Sequence, residues 1–389
     1  MATTEVSAAA IVDALRFHDA SPDALLAVSR DQWPKLLDWC DGHQITFVLQ
    51  SALGPLLPEF VCERMEPSRR RYSLRFARLE QELGTIIDIL RRREIGFVLL
   101  KGMSHCPKLS PDPILRAQGD IDLWIPNGAV HDARRALNQI GYERRHVRSG
   151  SDRHLPPMAL PSNWRWRGDV FDPEMPIRVE LHHDLWRSDS EYIPVSGEDR
   201  FLTRLQVREI AGRPAPVLCP QDLLGFAALH LLLHLLHGDL PLQRAWEIAR
   251  FLDTHARDAI FWSRWRELHS PELRVLQTVV FEILRAWFHC RTYEPAVLPN
   301  DVQLWLDRFA MSPLQAGSKD AVWLHLALIP SLRGRINVLL RRLLPVRGSR
   351  LSLDRASHHA TTLLPSLVQG LRWRRLRRSK LYVEHTKLA

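Results

Sequence analysis

Cysteine is scarce in this chain and never clustered. Its five cysteines (Cys40, Cys62, Cys106, Cys219 and Cys290) fall singly among 389 residues, without a Cys-x-x-Cys pair. An odd, dispersed set argues against a disulfide framework and against a zinc–thiolate centre, and it suits a reducing, cytoplasmic setting. Tyrosine is equally sparse, five against thirteen tryptophans; most large aromatics are core residues, so these are expected inside. Long apolar runs are missing as well. The most apolar stretch, Leu223–Leu236, contains His230 and His234, is too short to span a bilayer, and is expected to form a buried helix. The opening segment MATTEVSAAAIVDAL has no basic stretch ahead of an apolar one, so a secretory signal is not expected there.

Acidic residues are missing mainly from one end. The formal net charge is +9, yet from Ser331 onward there are fourteen Lys and Arg against two acids, which leaves the rest of the chain at −3. The basicity therefore belongs to the tail. The remainder is mildly acidic and carries no recognisable nucleic-acid-binding module, so nucleic acid is not expected as a substrate. In the tail, Arg333, Arg335, Arg341 and Arg342 lie among Ile336, Val338, Leu339 and Leu340, and a second cluster, Leu371 to Arg378, places Trp373 among arginines. Two readings stand: a positively charged helical surface, or peripheral contact with an anionic membrane or an acidic partner.

With 46% apolar residues, the chain can bury a sizeable core in two or three domains. Apolar positions recur at helical spacing in Ala9–Phe17, Trp33–His43 and Tyr72–Arg92, with breaks expected at Gly54–Pro58 and at Pro67-Ser68. Phe97–Leu100 reads as a short strand, Ser110–Pro113 as a turn, Ile121–Ile125 as a second strand and Gly128–Ile140 as an amphipathic helix. Tyr142–Val147 and Ile177–Leu185 read as further strands, Ser149–Pro176 as a hairpin or a loop over a site, and residues 216–310 as helical. Strands thus gather between about 95 and 185. The fold class is α+β: a small mixed sheet with helical regions on both sides. The expected divisions are an N-terminal helical region (1–92), a core (93–190), a helical domain over the site (191–325) and a basic tail (326–389).

The chemistry concentrates at Asp120-Ile121-Asp122. Acids two apart on a strand project to one face, because side chains alternate. Ile121, Leu123 and Ile125 would anchor that strand in a core. The carboxylates would repel each other unless a cation sat between them, and hard oxygen ligands favour Mg²⁺ or Mn²⁺. The plainer reading is a surface strand with two solvated acids.

The context favours the first reading. Phe97-Val98-Leu99-Leu100-Lys101-Gly102, Leu115-Arg116, Gly119-Asp120-Ile121-Asp122-Leu123, Ile140-Gly141-Tyr142 and Val179-Glu180-Leu181-His182, in that order, resemble the uncharacterised nucleotidyltransferase family of the polymerase-β superfold. The resemblance covers roughly residues 30–310 and is strongest over 95–185. It implies a nucleotidyltransferase core. Gly102 would open a helix beside an NTP, Asp120 and Asp122 would bind Mg²⁺ (or Mn²⁺), and Glu180 would complete the site. Two ions of that kind clamp the attacking and leaving oxygens of a phosphoryl transfer. Lys101 and Arg116 would neutralise the triphosphate. The implied reaction moves an NMP group to a hydroxyl or amine of a small molecule, peptide or protein.

Two departures stand out. Met103 follows Gly102 where the superfamily has serine, leaving Ser104 as the nearest hydroxyl, and the interval from Gly102 to Asp120 is long. A non-catalytic relative that binds a nucleotide or partner, and a glycosyl-type transferase using a nucleotide sugar, remain as alternatives. For the third carboxylate, Asp184, Asp169 and Asp172 compete with Glu180, while His182 shares the face of Glu180. Arg116 has a structural alternative in pairing with Asp112 or Asp120. His230, His234 and His237 share a helical face that would hold zinc or simply pack; packing is expected. The helical region bearing Gln243, Arg244 and Glu247 is expected to close over the nucleotide.

Overall fold

The computed structural model describes residues 2–144, 154–186, 188–291, 296–315 and 317–343. The second arginine–tryptophan cluster of the tail lies outside these residues. Seven strands form one mixed sheet: β1 (Val98–Leu99), β2 (Asp120–Trp124), β3 (Glu143–Arg144), β4 (Met158–Ala159), β5 (Arg178–His182), β6 (Leu205–Ile210) and β7 (Arg213–Leu218). Their order is β3-β4-β5-β2-β1-β7-β6. The centre is β2, parallel to β5 on one side and antiparallel to β1 on the other. The helices that matter for the site are α1 (Glu59–Arg92), α2 (Val130–Gln139), α3 (Pro220–His237) and α4 (Leu242–His255).

The strand alternation sorts side chains as the sequence implies. Ile121 and Leu123 of β2 and Val179 and Leu181 of β5 join Leu79, Leu83 and Ile86 of α1 and Val130, Ala133 and Leu137 of α2 in one buried cluster. Each such aliphatic contributes about 1.5–3 kcal/mol on burial. Two unit charges about 5 Å apart repel by about 3 kcal/mol at an effective dielectric near 20. The apolar face therefore has the strength to hold acids side by side on the opposite face. A second cluster unites the helices, including the buried Trp33, Trp262, Trp265, Trp287 and Trp305. Most tryptophans are core residues, as expected; Trp166 stays exposed.

Two expectations about the elements fail. No break occurs at Pro67, which lies inside the continuous helix α1. Proline there forfeits one hydrogen bond, to the carbonyl of Glu63. The buried stripe of Val61, Met65, Ser68 and Tyr72 carries the helix through. The strands also extend past residue 185: β6 and β7 form a hairpin, and β7 joins β1 in parallel through Leu99 and Val217. Pro214 and Pro216 disguised β7, since proline normally marks a strand edge or no strand. The signal was the two-residue turn Ala211-Gly212, with φ +52° and +64°, the left-handed pair that a tight hairpin needs.

Candidate active site

Helix α1 fixes the approach to β2. The Tyr72 hydroxyl donates to the Arg116 carbonyl at 2.5 Å and accepts from the Gln118 N–H at 3.0 Å. The buried Arg75 guanidinium donates to the carbonyls of Asp172 (3.2 Å) and Met175 (2.6 Å). Burial pushes its pKa down to about 10. Residues 116–120 and the loop before β5 are thus tied to one helix, and two strands begin in fixed register.

That register pairs Asp120 with Arg178, Asp122 with Glu180 and Trp124 with His182. Because β2 and β5 run parallel, Asp120, Asp122, Glu180 and His182 share the face away from the α1–α2 cluster. The ligand atoms of Asp122, Glu180 and His182 all lie within 4.8 Å of one another. Lys101, two residues past β1, brings Nζ to 2.7 Å from Asp122 Oδ1, and His182 Nε2 donates to the same oxygen at 2.8 Å. Burial would raise the Asp122 pKa, but the Lys101 charge and the His182 hydrogen bond outweigh it, holding that carboxyl well below the usual range. Asp120 goes the other way, raised by burial and then by the neighbouring Asp122 charge, with Arg178 Nη2 only at 3.8 Å. Glu180 is lowered: the His182 ring, with Nε2 3.6 Å from Oε2, overcomes burial. The face thus presents adjacent carboxylates of differing acidity with a lysine folded onto one of them.

The rivals of Glu180 are engaged elsewhere. Asp169 pairs with Arg71, Asp172 accepts from the Trp164 indole at 2.8 Å, and Asp184 lies past the end of β5 against His183. Gly102 has φ +64°, a conformation that strains any other residue, and a Cβ there would have to displace the Gln118 amide. It opens a four-residue 3₁₀ turn, Gly102–His105, not the longer helix implied by the resemblance. This turn is clamped from β6, where Arg208 Nη1 donates to the Ser104 carbonyl at 2.9 Å. Ser104 Oγ is buried without a partner.

Arg116 pairs with neither Asp112 nor Asp120. Its Nη1 donates to Glu247 Oε2 and lies 3.5 Å from Gln243 Oε1, both on α4. His105 Nδ1 stands 3.3 Å from the same Glu247 oxygen. Burial and then the Arg116 charge press the His105 pKa down to about 4. Glu247 is lowered, the Arg116 charge overcoming burial. Helices α3 and α4 therefore meet the glycine bend. Lys101, Arg116, His105, His230, Arg244 and Glu247 line a cavity of about 10 Å³ between them, room for about one water. Ser104 Oγ, His105 Nε2, Arg116 Nε, Gln118 Oε1, Gln243 Nε2 and Glu247 Oε1 are all buried without a hydrogen-bond partner. Each such orphan costs about 1–3 kcal/mol, so this wall is built for polar company.

The three α3 histidines do not converge. His230 faces Lys101 and Arg244 (3.5 Å each), His234 takes Arg244 at 2.6 Å, and His237 takes Glu191 at 3.1 Å. Among the described residues, the one cluster with metal-ligand geometry is Asp122, Glu180 and His182. Sequence reasoning missed His105 and His154, because neither belongs to a periodic pattern or motif.

A mixed sheet with clustered acids on its central parallel pair, beside a glycine bend, defines a nucleotidyltransferase-like class. The family model described as "uncharacterised nucleotidyltransferase" matches residues 29–289. The chain belongs to that family. No curated protein and no solved structure matches it.

Proposed function

We infer that this protein transfers a nucleoside monophosphate from an NTP to a hydroxyl or amine of a small molecule, peptide or protein, with a divalent cation as cofactor. One observation carries the reading: Asp122 and Glu180 stand in register on parallel strands, with Asp120 on the same face and the Gly102 bend beside them. The donor set suits a divalent ion, since carboxylate oxygens from two rigid strands converge within ligand spacing. Asp120, Asp122 and Glu180 would hold it, and the bound ion would stabilise charge building on phosphate oxygens. The chain's own cations have the complementary task. Lys101 neutralises Asp122 until phosphate arrives, and then serves the phosphate. Arg116 holds α4 over the bend through Glu247. Residues 93–190 form the catalytic core of this reading, completed by the β6–β7 hairpin. Residues 1–92 and 191–325 flank it, and 326–389 form the basic tail. Five free thiols favour a cytoplasmic setting. Among the described residues, no helix is long and apolar enough to cross a membrane.

The test is thermal stabilisation by each of the four NTPs with Mg²⁺ or Mn²⁺, comparing wild type with Asp120→Asn and Asp122→Asn. Stabilisation by one NTP that both substitutions abolish is expected; equal stabilisation in all three proteins refutes the assignment. A second reading, a nucleotide-binding relative without turnover, draws support from Met103 after Gly102 and from the closed 10 Å³ cavity. Pyrophosphate release in the presence of cell extract separates the two.

A further inference from the structure

His154 lies beside His182 in an antiparallel bridge, their rings 5.0 Å apart. Its Nδ1 is 2.8 Å from the Leu155 carbonyl. A carbonyl only accepts, so Nδ1 carries the proton and Nε2 presents a bare lone pair. That lone pair faces Glu180 Oε2 at 3.7 Å, and His182 Nε2 faces the same oxygen at 3.6 Å. Both distances are too long for hydrogen bonds. Two ligands each about 2.1 Å from a shared ion stand roughly 3.0–3.4 Å apart, so both pairs lie within a few tenths of an ångström of ligand spacing. A backbone carbonyl that fixes the tautomer of an imidazole is also the usual support of a metal-bound histidine.

We propose that His154 and His182 supply nitrogen ligands to the cation site on Asp122 and Glu180, so that it takes a divalent transition ion such as Mn²⁺ in preference to Mg²⁺. The inference rests on the reading that this face seats a divalent cation, and it adds which class of ion. Mg²⁺ keeps to oxygen ligands and water, whereas imidazole favours first-row transition ions. On binding, Lys101 leaves Asp122 and has His230 Nε2 3.5 Å away. The His182 proton passes from Nε2 to Nδ1 through solvent, so the neutral ring keeps its charge.

The experiment is a titration of metal-free, full-length protein with Mn²⁺ alone, without nucleotide, read by the loss of the free-ion EPR signal and by pulsed EPR of the bound ion. One Mn²⁺ per chain is expected, resistant to equimolar Mg²⁺ and showing ¹⁴N coupling. His154→Ala should weaken Mn²⁺ binding by about tenfold or more, the scale seen when groups supporting a metal site are lost, and should leave Mg²⁺ binding unchanged. Bound Mn²⁺ without ¹⁴N coupling, or displaced by equimolar Mg²⁺, overturns the inference while leaving an all-oxygen cation seat intact. Absence of bound Mn²⁺ overturns it too, and the NTP-dependent stabilisation assay then scores the nucleotide reading separately. If His154→Ala fails to fold, the ¹⁴N coupling of the wild-type protein decides.

Discussion

Glu247→Gln is the sharpest probe of how the helices are held over the bend. The carboxylate is buried. It takes Arg116 and His105 on one oxygen, while the other oxygen has no partner. Glutamine keeps the shape and one acceptor oxygen but removes the charge, which leaves the buried Arg116 guanidinium among neutral acceptors alone, with Gln243 at 3.5 Å. Breaking a buried pair from one side costs about 3–5 kcal/mol, whereas replacing both partners by apolar groups is often neutral. Glu247→Gln should therefore lose about 3 kcal/mol or more in urea unfolding followed by tryptophan fluorescence. Adding Arg116→Met should recover most of that loss, giving a coupling of about 2 kcal/mol or more in the double-mutant cycle. Glu66→Gln serves as the control. Its exposed partner Arg70 lies at 3.1 Å on the same helix, a pair worth only about 0.3–0.5 kcal/mol. If Glu247→Gln behaves like Glu66→Gln, or if the double mutant simply sums the single losses, the pair does not hold the helices.

Two other outcomes follow from single groups. His105 stays neutral in the fold to a pKa of about 4, while the unfolded chain protonates near 6.5. The unfolded state thus binds more protons between those values, so stability falls as pH drops from 6.5 towards 4, by up to about 3 kcal/mol; His105→Gln should flatten that slope in urea titrations across the window. Pro67 is exposed within α1. Pro67→Ala should restore the hydrogen bond to Glu63 and stabilise by about 1–3 kcal/mol in the same assay, part of the gain being offset by a freer unfolded chain. A loss of stability would mean that α1 is bent to suit the proline.

What the sequence revealed followed from short-range rules. Alternation across Asp120–Leu123 and Val179–His182 is a local property, and it placed the acids on one face and the aliphatics on the other. The glycine at 102 was legible as a bend; of the α3 histidines expected to pack, His230 and His234 are half-buried and His237 is exposed. The missed features depend on contacts that no spacing encodes. Arg116 finds Glu247 131 residues away, and Lys101 turns back onto Asp122. His154 reaches Glu180 only because a strand bridge brings it there. The hairpin at 205–218 was hidden by two prolines, whose strand-breaking tendency yielded to six paired positions between β6 and β7.

The uninterrupted run of α1 sets which parts of the molecule are free to swing. Thirty-four residues of helix make a rod about 50 Å long, packed against the sheet at one end and against the N-terminal helices at the other. Both ends must turn together. Movement of α4 relative to α3 would turn instead on their short connection, where α3 ends at Gly238 with φ +82° and α4 starts after Pro241.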